Sequence, residues 1–192
     1  MIYIPTVTKI TKDMILNVAF DIARENGLEG VSNREIARRM NCSIRPIYYQ
    51  FKNVDELNSE LYKKIEKYFY KFLIGNMIDD VPKYKQIGIN YIKFAKCENK
   101  LFQILFMSES KYLPEEFVSK DEGFNEVFQI IKNNTTLDEK DIKSFHTVMW
   151  IFSHGIATLV ANNAVKLNDE EIRELLSIEF KALMLYEDSM KK

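Results

Sequence analysis

Turn-forming residues are scarce in this chain, which has 6 glycines and 4 prolines among its 192 residues. Because these two residue types supply most tight chain reversals, a low content of both favours long uninterrupted helices over a sheet of many short strands. With 46% hydrophobic residues, a chain of this length can also bury a sizeable core. The composition therefore predicts an all-α protein of one large domain or two small ones.

The composition also argues against several kinds of protein and site. The two cysteines, Cys42 and Cys97, are too few and too widely separated for a disulfide framework or a zinc site. No apolar run reaches the roughly 18 residues of a membrane span, and the first residues up to Ile10 lack a secretory signal pattern. We therefore expect a cytoplasmic protein with no metal, no cofactor and no membrane contact.

Patterns that would indicate catalysis are missing from the sequence. We find no carboxylates clustered with a histidine, no nucleophile beside a base and no glycine-rich phosphate loop. His154 has no partner at metal-ligand spacing, so it is better interpreted as a structural histidine. We predict that the protein is not an enzyme and has no catalytic residue.

Capping signals predict four helices in the first part of the chain. Ser, Thr and Asn accept hydrogen bonds from the first free N–H groups of a helix, and a Glu three residues later strengthens the signal. Gly and Asn tolerate the left-handed conformation that often ends a helix. The predicted starts are Thr11, Ser32, Ser43 and Asn53, the box partners are Glu35 and Glu56, and the predicted ends are Gly27 and Asn41.

The short third helix has a basic and aromatic outer side. Ile47 and Phe51 are four residues apart and can both face inward. The residues left to point outward are Ile44, Arg45, Tyr48, Tyr49 and Lys52. A pair of short helices whose second helix has a basic and aromatic outer side is typical of a helix-turn-helix that reads base edges in the major groove of DNA. A solvated basic surface is the simpler alternative.

The rest of the chain has the pattern of longer helices. One helical stripe starts at Asn53 and ends near Gly75, and we place the domain boundary inside or just before it. Further helices are predicted to open at Pro114, Asp138 and Asn168. The segment from Phe145 to Ala161 is apolar around most of its circumference, which requires burial on two sides. The pattern does not decide whether one of those sides faces a second copy of the chain or only the core.

Three short runs define a known arrangement of helices: Ser32–Ala37, Asn41–Asn53 and Asp55–Leu57. They contain a capped second helix, a short turn, and a third helix that ends in tyrosine, a polar residue and phenylalanine before a capped fourth helix. In this order and register, residues from about Ile15 to Leu61 resemble the DNA-binding domain of the TetR family of transcriptional regulators. Val54 stands where that family commonly has lysine, so we expect one of its phosphate contacts to be absent.

The resemblance implies a helix-turn-helix over residues 32–51, with residues 43–51 as the recognition helix. It implies that Ile44 and Arg45 face bases and that Tyr49 packs against a sugar or a thymine methyl group. The residues implied to hold phosphates are Asn33, Arg34, Ser43, Tyr48 and Lys52.

A second resemblance lies in the C-terminal half. The run Trp150–Ala157 is similar to the tryptophan and histidine-glycine signature of one group of TetR C-terminal domains, and the run from Phe94 to Phe106 is similar to that group too. It implies a helical domain that binds a small apolar effector and pairs with a second subunit through its last two helices. The aromatic residues expected to reach an effector are Phe94, Phe102, Phe106, Phe128 and Trp150.

These features together predict an all-α protein with a helix-turn-helix DNA-binding domain over residues 1–60 and a helical effector-binding and dimerisation domain over residues 61–192. The predicted function is that of a homodimeric regulator, a repressor that binds a palindromic double-stranded DNA operator and is released by a small apolar effector. The alternative is a helical carrier of a small molecule or lipid that keeps the fold without regulating transcription.

Overall fold

The structure, a computed structural model, describes residues 10–75, 77–78, 81–107 and 124–190. These residues form nine α-helices and one 3-10 helix and contain no strand, which confirms the predicted all-α class. The bounds are α1 (Lys12–Asn26), the 3-10 helix (Leu28–Gly30), α2 (Asn33–Arg39), α3 (Arg45–Gln50), α4 (Val54–Ile74), α5 (Lys83–Cys97), α6 (Asn99–Phe106), α7 (Phe124–Asn134), α8 (Glu139–Ala161) and α9 (Asp169–Met190). The helix start predicted at Pro114 lies outside the described residues.

Several helix ends follow directly from local sequence. The Thr11 hydroxyl accepts a hydrogen bond from the Met14 N–H at 3.2 Å and caps α1, which ends at Gly27 with φ 76°. Asn168 and Glu171 form a reciprocal box at the start of α9: the Asn168 side chain accepts from the Glu171 N–H, and the Glu171 carboxylate accepts from the Asn168 N–H at 2.7 Å. The predictions at these ends are confirmed.

Other predicted caps are only half formed. Asp138 precedes α8 but makes no side-chain capping bond. Asn53 caps the Glu56 N–H at 2.8 Å, while the Glu56 carboxylate accepts from the Lys52 N–H rather than from that of Asn53. A carboxylate near a helix start can satisfy any nearby donor, so the spacing predicts the cap better than its exact partner.

The core is continuous from the N-terminal helices into the C-terminal ones. Helices α1 to α4 enclose Ile15, Ile36, Ile47 and Leu57, all at most 1% exposed. Helix α4 extends past this group, and its Phe69 ring lies 5.0 Å from the Phe94 ring of α5. Helix α4 therefore packs against α1 at one end and α5 at the other, so a shift in one part can move the other.

Helix α8 has two apolar sides, as the sequence pattern requires. One side packs on α5, with Tyr84 and Tyr91 beside His146 and His154, so the two helices run in the same direction. The other side exposes Val148, Ile151 and Leu159, at 39%, 48% and 47%. Among the described helices, α8 alone has the length and hydropathy that a membrane span needs, and 44% of that stretch is buried within the molecule.

Candidate nucleic-acid interface and inner cavity

The inner side of α3 anchors it to the N-terminal core. Ile47 and Phe51 are 1% and 2% exposed, as predicted from their spacing. The Lys12 ammonium lies 5.0 Å from the centre of the Phe51 ring, and the Gln50 amide donates to the Ile10 carbonyl at 3.1 Å. The C-terminal end of the short helix is thus held from the α1 side, and its outer residues are left clear.

The turn before α3 differs in one detail from the prediction. Asn41 takes the left-handed conformation expected of it, with φ 49°, and the Cys42 N–H donates to the Ala37 carbonyl at 3.0 Å. Ser43 does not cap α3. Ile44 occupies the cap position without a side-chain hydrogen bond, because Pro46 lies within the first turn and has no N–H to satisfy. The prediction of a Ser43 cap is wrong, and the exposed Ser43 side chain faces solvent instead.

The outer side of α3 projects rings and charges into solvent. Tyr49, Tyr48 and Ile44 are 84%, 58% and 41% exposed, and Arg45 is exposed beside them. Large apolar and aromatic side chains at such exposure leave a face that can contact base edges, sugars and methyl groups.

The basic residues around this face fall into two groups. Arg38 and Arg39 are committed to carboxylates: Arg38 donates twice to Glu35 at 2.7 Å, and Arg39 pairs with Glu25 at 2.6 Å and with Glu35 at 3.0 Å. Within the described residues, Arg34, Arg45 and Lys52 are exposed and have no carboxylate partner. The cations predicted to touch DNA are therefore those that are free to do so.

The charges of Arg38 and Arg39 are compensated by carboxylates of the same chain. Hydrogen bonds from Arg38 and then Arg39 lower the pKa of the Glu35 carboxyl to about 2. Glu35 therefore stays ionised, and these two guanidinium groups keep their countercharge near neutral pH. Asn33, predicted to hold phosphate, is half-buried at the start of α2 beside the exposed Arg34.

The aromatic residues expected to reach an effector lie in three places. Phe102 and Phe106 of α6 lie 5.7 and 6.1 Å from the His154 ring, and Trp150 stacks on that ring at 5.1 Å. Phe94 is fully buried among α4 aromatic rings, and Phe128 packs against a separate small core that includes Phe145. Trp150 is the member of this set that also lines a cavity.

A cavity of about 450 Å³ lies between α5, α7, α8 and α9. Its walls are mainly apolar and include Ile87, Met149, Trp150, Leu176 and Phe180. The volume of the cavity and its mainly apolar lining are both typical of sites that bind small molecules. Sequence periodicity missed most of these residues, because each belongs to an ordinary apolar helix stripe and becomes a wall only when four helices meet.

Both histidines lie beside this cavity and pair with tyrosines of α5. Tyr84 Oη is 2.9 Å from His146 Nδ1, and Tyr91 Oη is 2.9 Å from His154 Nδ1. Burial lowers the pKa of His146 to about 4 and also lowers that of His154. Both rings are therefore neutral near pH 7, and the interpretation of His154 as a structural histidine stays a prediction.

Comparisons with known proteins agree with this arrangement. Residues 15–61 match the family described as bacterial regulatory proteins, tetR family. The chain is 25% identical over 138 residues to the biofilm operon icaADBC HTH-type negative transcriptional regulator IcaR of Staphylococcus epidermidis, which covers 70% of this chain and 69% of that protein.

Solved structures share the fold over nearly the whole chain. A putative TetR-family transcriptional regulator from Vibrio parahaemolyticus has a TM-score of 0.64 and 20% identity, covering 89% of this chain and 97% of its own. A TetR-like transcriptional regulator from Rhodococcus sp. RHA1 has a TM-score of 0.63 and 15% identity, covering 94% and 98%. Regulators of this family are DNA-binding transcription factors and not enzymes. Residues 15–61 are thus similar to the DNA-binding domain of the TetR family, and the chain as a whole shares its fold with solved structures of TetR-family regulators.

Proposed function

We propose that this chain is a homodimeric transcriptional repressor that binds a palindromic DNA operator through α3. The observation that carries the proposal is the outer face of α3, where Arg45, Tyr48 and Tyr49 are exposed and Arg45 has no carboxylate partner among the described residues. Bases are read by side chains that enter the major groove, and phosphates are held by nearby cations and hydroxyls. The name of the Staphylococcus epidermidis relative supports repression as the direction of control.

The proposed DNA contacts are of two kinds, contacts with bases or sugars and contacts with phosphates. Ile44 and Arg45, at the start of α3, face bases, and Tyr49 packs on a sugar or a thymine methyl group. Ser43, Tyr48, Lys52, Asn33 and Arg34 hold phosphates on either side. The absence of a carboxylate partner on Arg34, Arg45 and Lys52 in the described chain supports this division, because an unpaired guanidinium or ammonium gives up only water when it meets a phosphate.

Dimerisation is proposed through the exposed apolar side of α8 and the neighbouring face of α9. Val148, Ile151 and Leu159 lie on one side of α8, and Ile178 and Leu185 of α9 are 57% and 70% exposed. Exposed large apolar side chains on neighbouring helices are typical of an association site. A second copy related by a twofold axis would place two α3 helices about 34 Å apart, one turn of DNA.

The two proposed functions belong to the two predicted domains. We assign DNA binding to residues 1–60 and effector binding and dimerisation to residues 61–192, in a cytoplasmic protein. The stacking of Trp150 on His154, with Gly155 next to it on an open surface, supports membership of residues 150–157 in the tryptophan and histidine-glycine group.

An effector in the cavity would act through helices that also touch the DNA-binding helices. Trp150 lines the cavity and stacks on His154, whose other neighbours include Phe102 of α6. Helix α6 packs on α1, which carries α3. An effector that binds the shifted arrangement of these helices more tightly than the DNA-binding arrangement lowers the affinity for DNA. The loss of DNA affinity is limited by the difference between the effector's affinities for the two arrangements.

The test is a titration of the purified protein against a palindrome from the DNA upstream of its own gene. We expect tight binding at low ionic strength and a steep loss of affinity with added salt, since phosphate neutralisation releases counterions. The Arg45→Ala variant should relax base preference, whereas Lys52→Ala should weaken binding to all sequences alike. Absent or salt-insensitive binding would contradict the proposal and favour the carrier, which native mass spectrometry would detect with a co-bound molecule.

A further inference from the structure

We propose that the cavity between α5, α7, α8 and α9 binds an elongated apolar carboxylate, with its carboxylate at Lys85 and Lys181 and its apolar body along Trp150. The inference rests on the proposed effector site and names the chemical class of its ligand. It is carried by the shape of the cavity, the sign of its charges and the position of one serine hydroxyl in its wall.

The register of the helices gives the cavity two distinct ends. Tyr84 pairs with His146, and seven residues further along α5 Tyr91 pairs with His154. At 1.5 Å per residue, these two levels are about 10 Å apart. Helix α9 runs in the opposite direction, because the Phe180 ring lies 6.2 Å from that of Tyr84 while Leu176 lies against Gly88.

Among the described residues of the cavity wall, the charged side chains are all positive and lie at one end. Lys85 follows Tyr84, and Lys181 follows Phe180, so both lysines belong to the Tyr84 level. No aspartate or glutamate is among the described residues that line the cavity. His146, at the same level, is neutral near pH 7 because burial lowers its pKa to about 4. This end therefore attracts an anion and repels a cation.

The middle of the cavity is apolar. Ile87, Met149, Trp150, Leu176 and Phe180 form the walls between the two ends. A ligand that fills this length gains by removing apolar surface from water, at roughly 25 cal/mol per Å². A compact inorganic anion would leave most of the cavity empty, so the geometry favours a carboxylate on a chain or a ring system.

A serine hydroxyl lies in the cavity wall one helical turn beyond Lys85. Ser153 lines the cavity at 7% exposure. It lies at the level of Gly88 and Leu176, about 4.5 Å along α5 from Lys85. Buried hydroxyls are normally paired, so a ligand with a hydrogen-bonding group at its tail would satisfy Ser153.

The single tryptophan of the chain makes the test specific to this cavity, because Trp150 lies in its wall. Binding is followed by tryptophan fluorescence, and by calorimetry, for octanoate, octanol, octyltrimethylammonium and the ω-hydroxy derivative of octanoate. We expect octanoate to bind about tenfold more tightly than octanol, as two partly solvated charge pairs allow, and the quaternary ammonium to bind most weakly. The ω-hydroxy derivative should bind more tightly than octanoate.

Variants separate the two ends of the cavity. The double variant Lys85→Gln/Lys181→Gln should lose the preference for octanoate over octanol, whereas Lys140→Gln, an exposed lysine of α8 outside the cavity, should keep it. Ser153→Ala should remove only the advantage of the ω-hydroxy derivative. Equal binding of octanoate and octanol by the unmodified protein, or a preference that survives in the double lysine variant, would overturn the proposal.

Titration with the operator distinguishes a failure of this inference from a failure of the proposed function. If the protein binds its palindrome but shows no preference for carboxylates, the ligand class is wrong and the regulator stands. If carboxylates bind as expected while no DNA binds, the ligand class stands and the repressor is wrong. When both hold, octanoate should weaken binding to the palindrome, and the double lysine variant should not respond.

Discussion

The Arg24 guanidinium donates to the Glu98 carboxylate at 2.6 Å and so joins α1 to the junction of α5 and α6. The Tyr68 hydroxyl of α4 donates to the same carboxylate at 2.7 Å. The Glu98 side chain is 4% exposed, whereas that of Arg24 is 51% exposed. One buried carboxylate therefore connects the helices that carry α3 with the helices beside the cavity.

Removing the two partners should have unequal effects on stability. Arg24→Met leaves a buried carboxylate short of donors, so we expect the free energy of unfolding to fall by about 2 to 3 kcal/mol. Glu98→Gln leaves an arginine that already reaches water, and about 1 kcal/mol should be lost. Urea unfolding of both variants and of the double variant measures the difference. Equal losses would show that the pair behaves as an exposed ion pair.

Acid should weaken the fold through His146. Its pKa in the folded chain is about 4, below the ordinary value of 6.5, so the unfolded chain binds the extra proton between these values. The stability that the neutral ring contributes is complete above pH 6.5 and is lost as the pH falls towards 4. We expect the free energy of unfolding to drop by about 2 kcal/mol between pH 7 and pH 5. His146→Gln should flatten this dependence, and an unchanged slope in that variant would contradict the assignment.

Two arginines of α2 offer a matched comparison for DNA binding. Arg34 has no carboxylate partner in the described chain, while Arg38 donates twice to Glu35. We expect Arg34→Ala to weaken operator binding about fivefold and to reduce the salt slope by about one unit per lost contact. Arg38→Ala should change the affinity by less than about twofold, because its charge is already compensated. Fluorescence anisotropy at several salt concentrations measures both, and similar losses in the two variants would contradict the division of the cations.

A charge on the outer side of α8 should separate the proposed dimer. Ile151 lies at 48% exposure, one turn from the open surface at Gly155. Ile151→Glu would place two like charges near each other across a twofold axis, and we expect the dissociation constant to rise by about two orders of magnitude. Leu28→Glu, at a similarly exposed apolar position outside α8, is the control. Sedimentation velocity that shows a dimer in both variants would exclude this surface.

Local sequence predicted most helix starts and the orientation of α3. Thr11, Ser32, Asn53 and Asn168 cap the helices that they were expected to cap, because a capping bond joins residues two or three positions apart. Ile47 and Phe51 are buried for a similar reason, since their spacing puts them on one side of any helix. Ser43 failed as a cap because Pro46 removed the need for one.

The sequence by itself determined an all-helical chain with a short exposed helix near its start, because the rules for helix periods and caps operate within a few residues. Only the tertiary structure decided which cations are free, since Arg39 meets Glu25 from 14 residues away. It alone decided that Glu98 meets Arg24 across 74 residues and that Ser153, Lys85 and Lys181 share a cavity. Contacts of this kind depend on how the helices pack against one another, and no spacing along the chain encodes them.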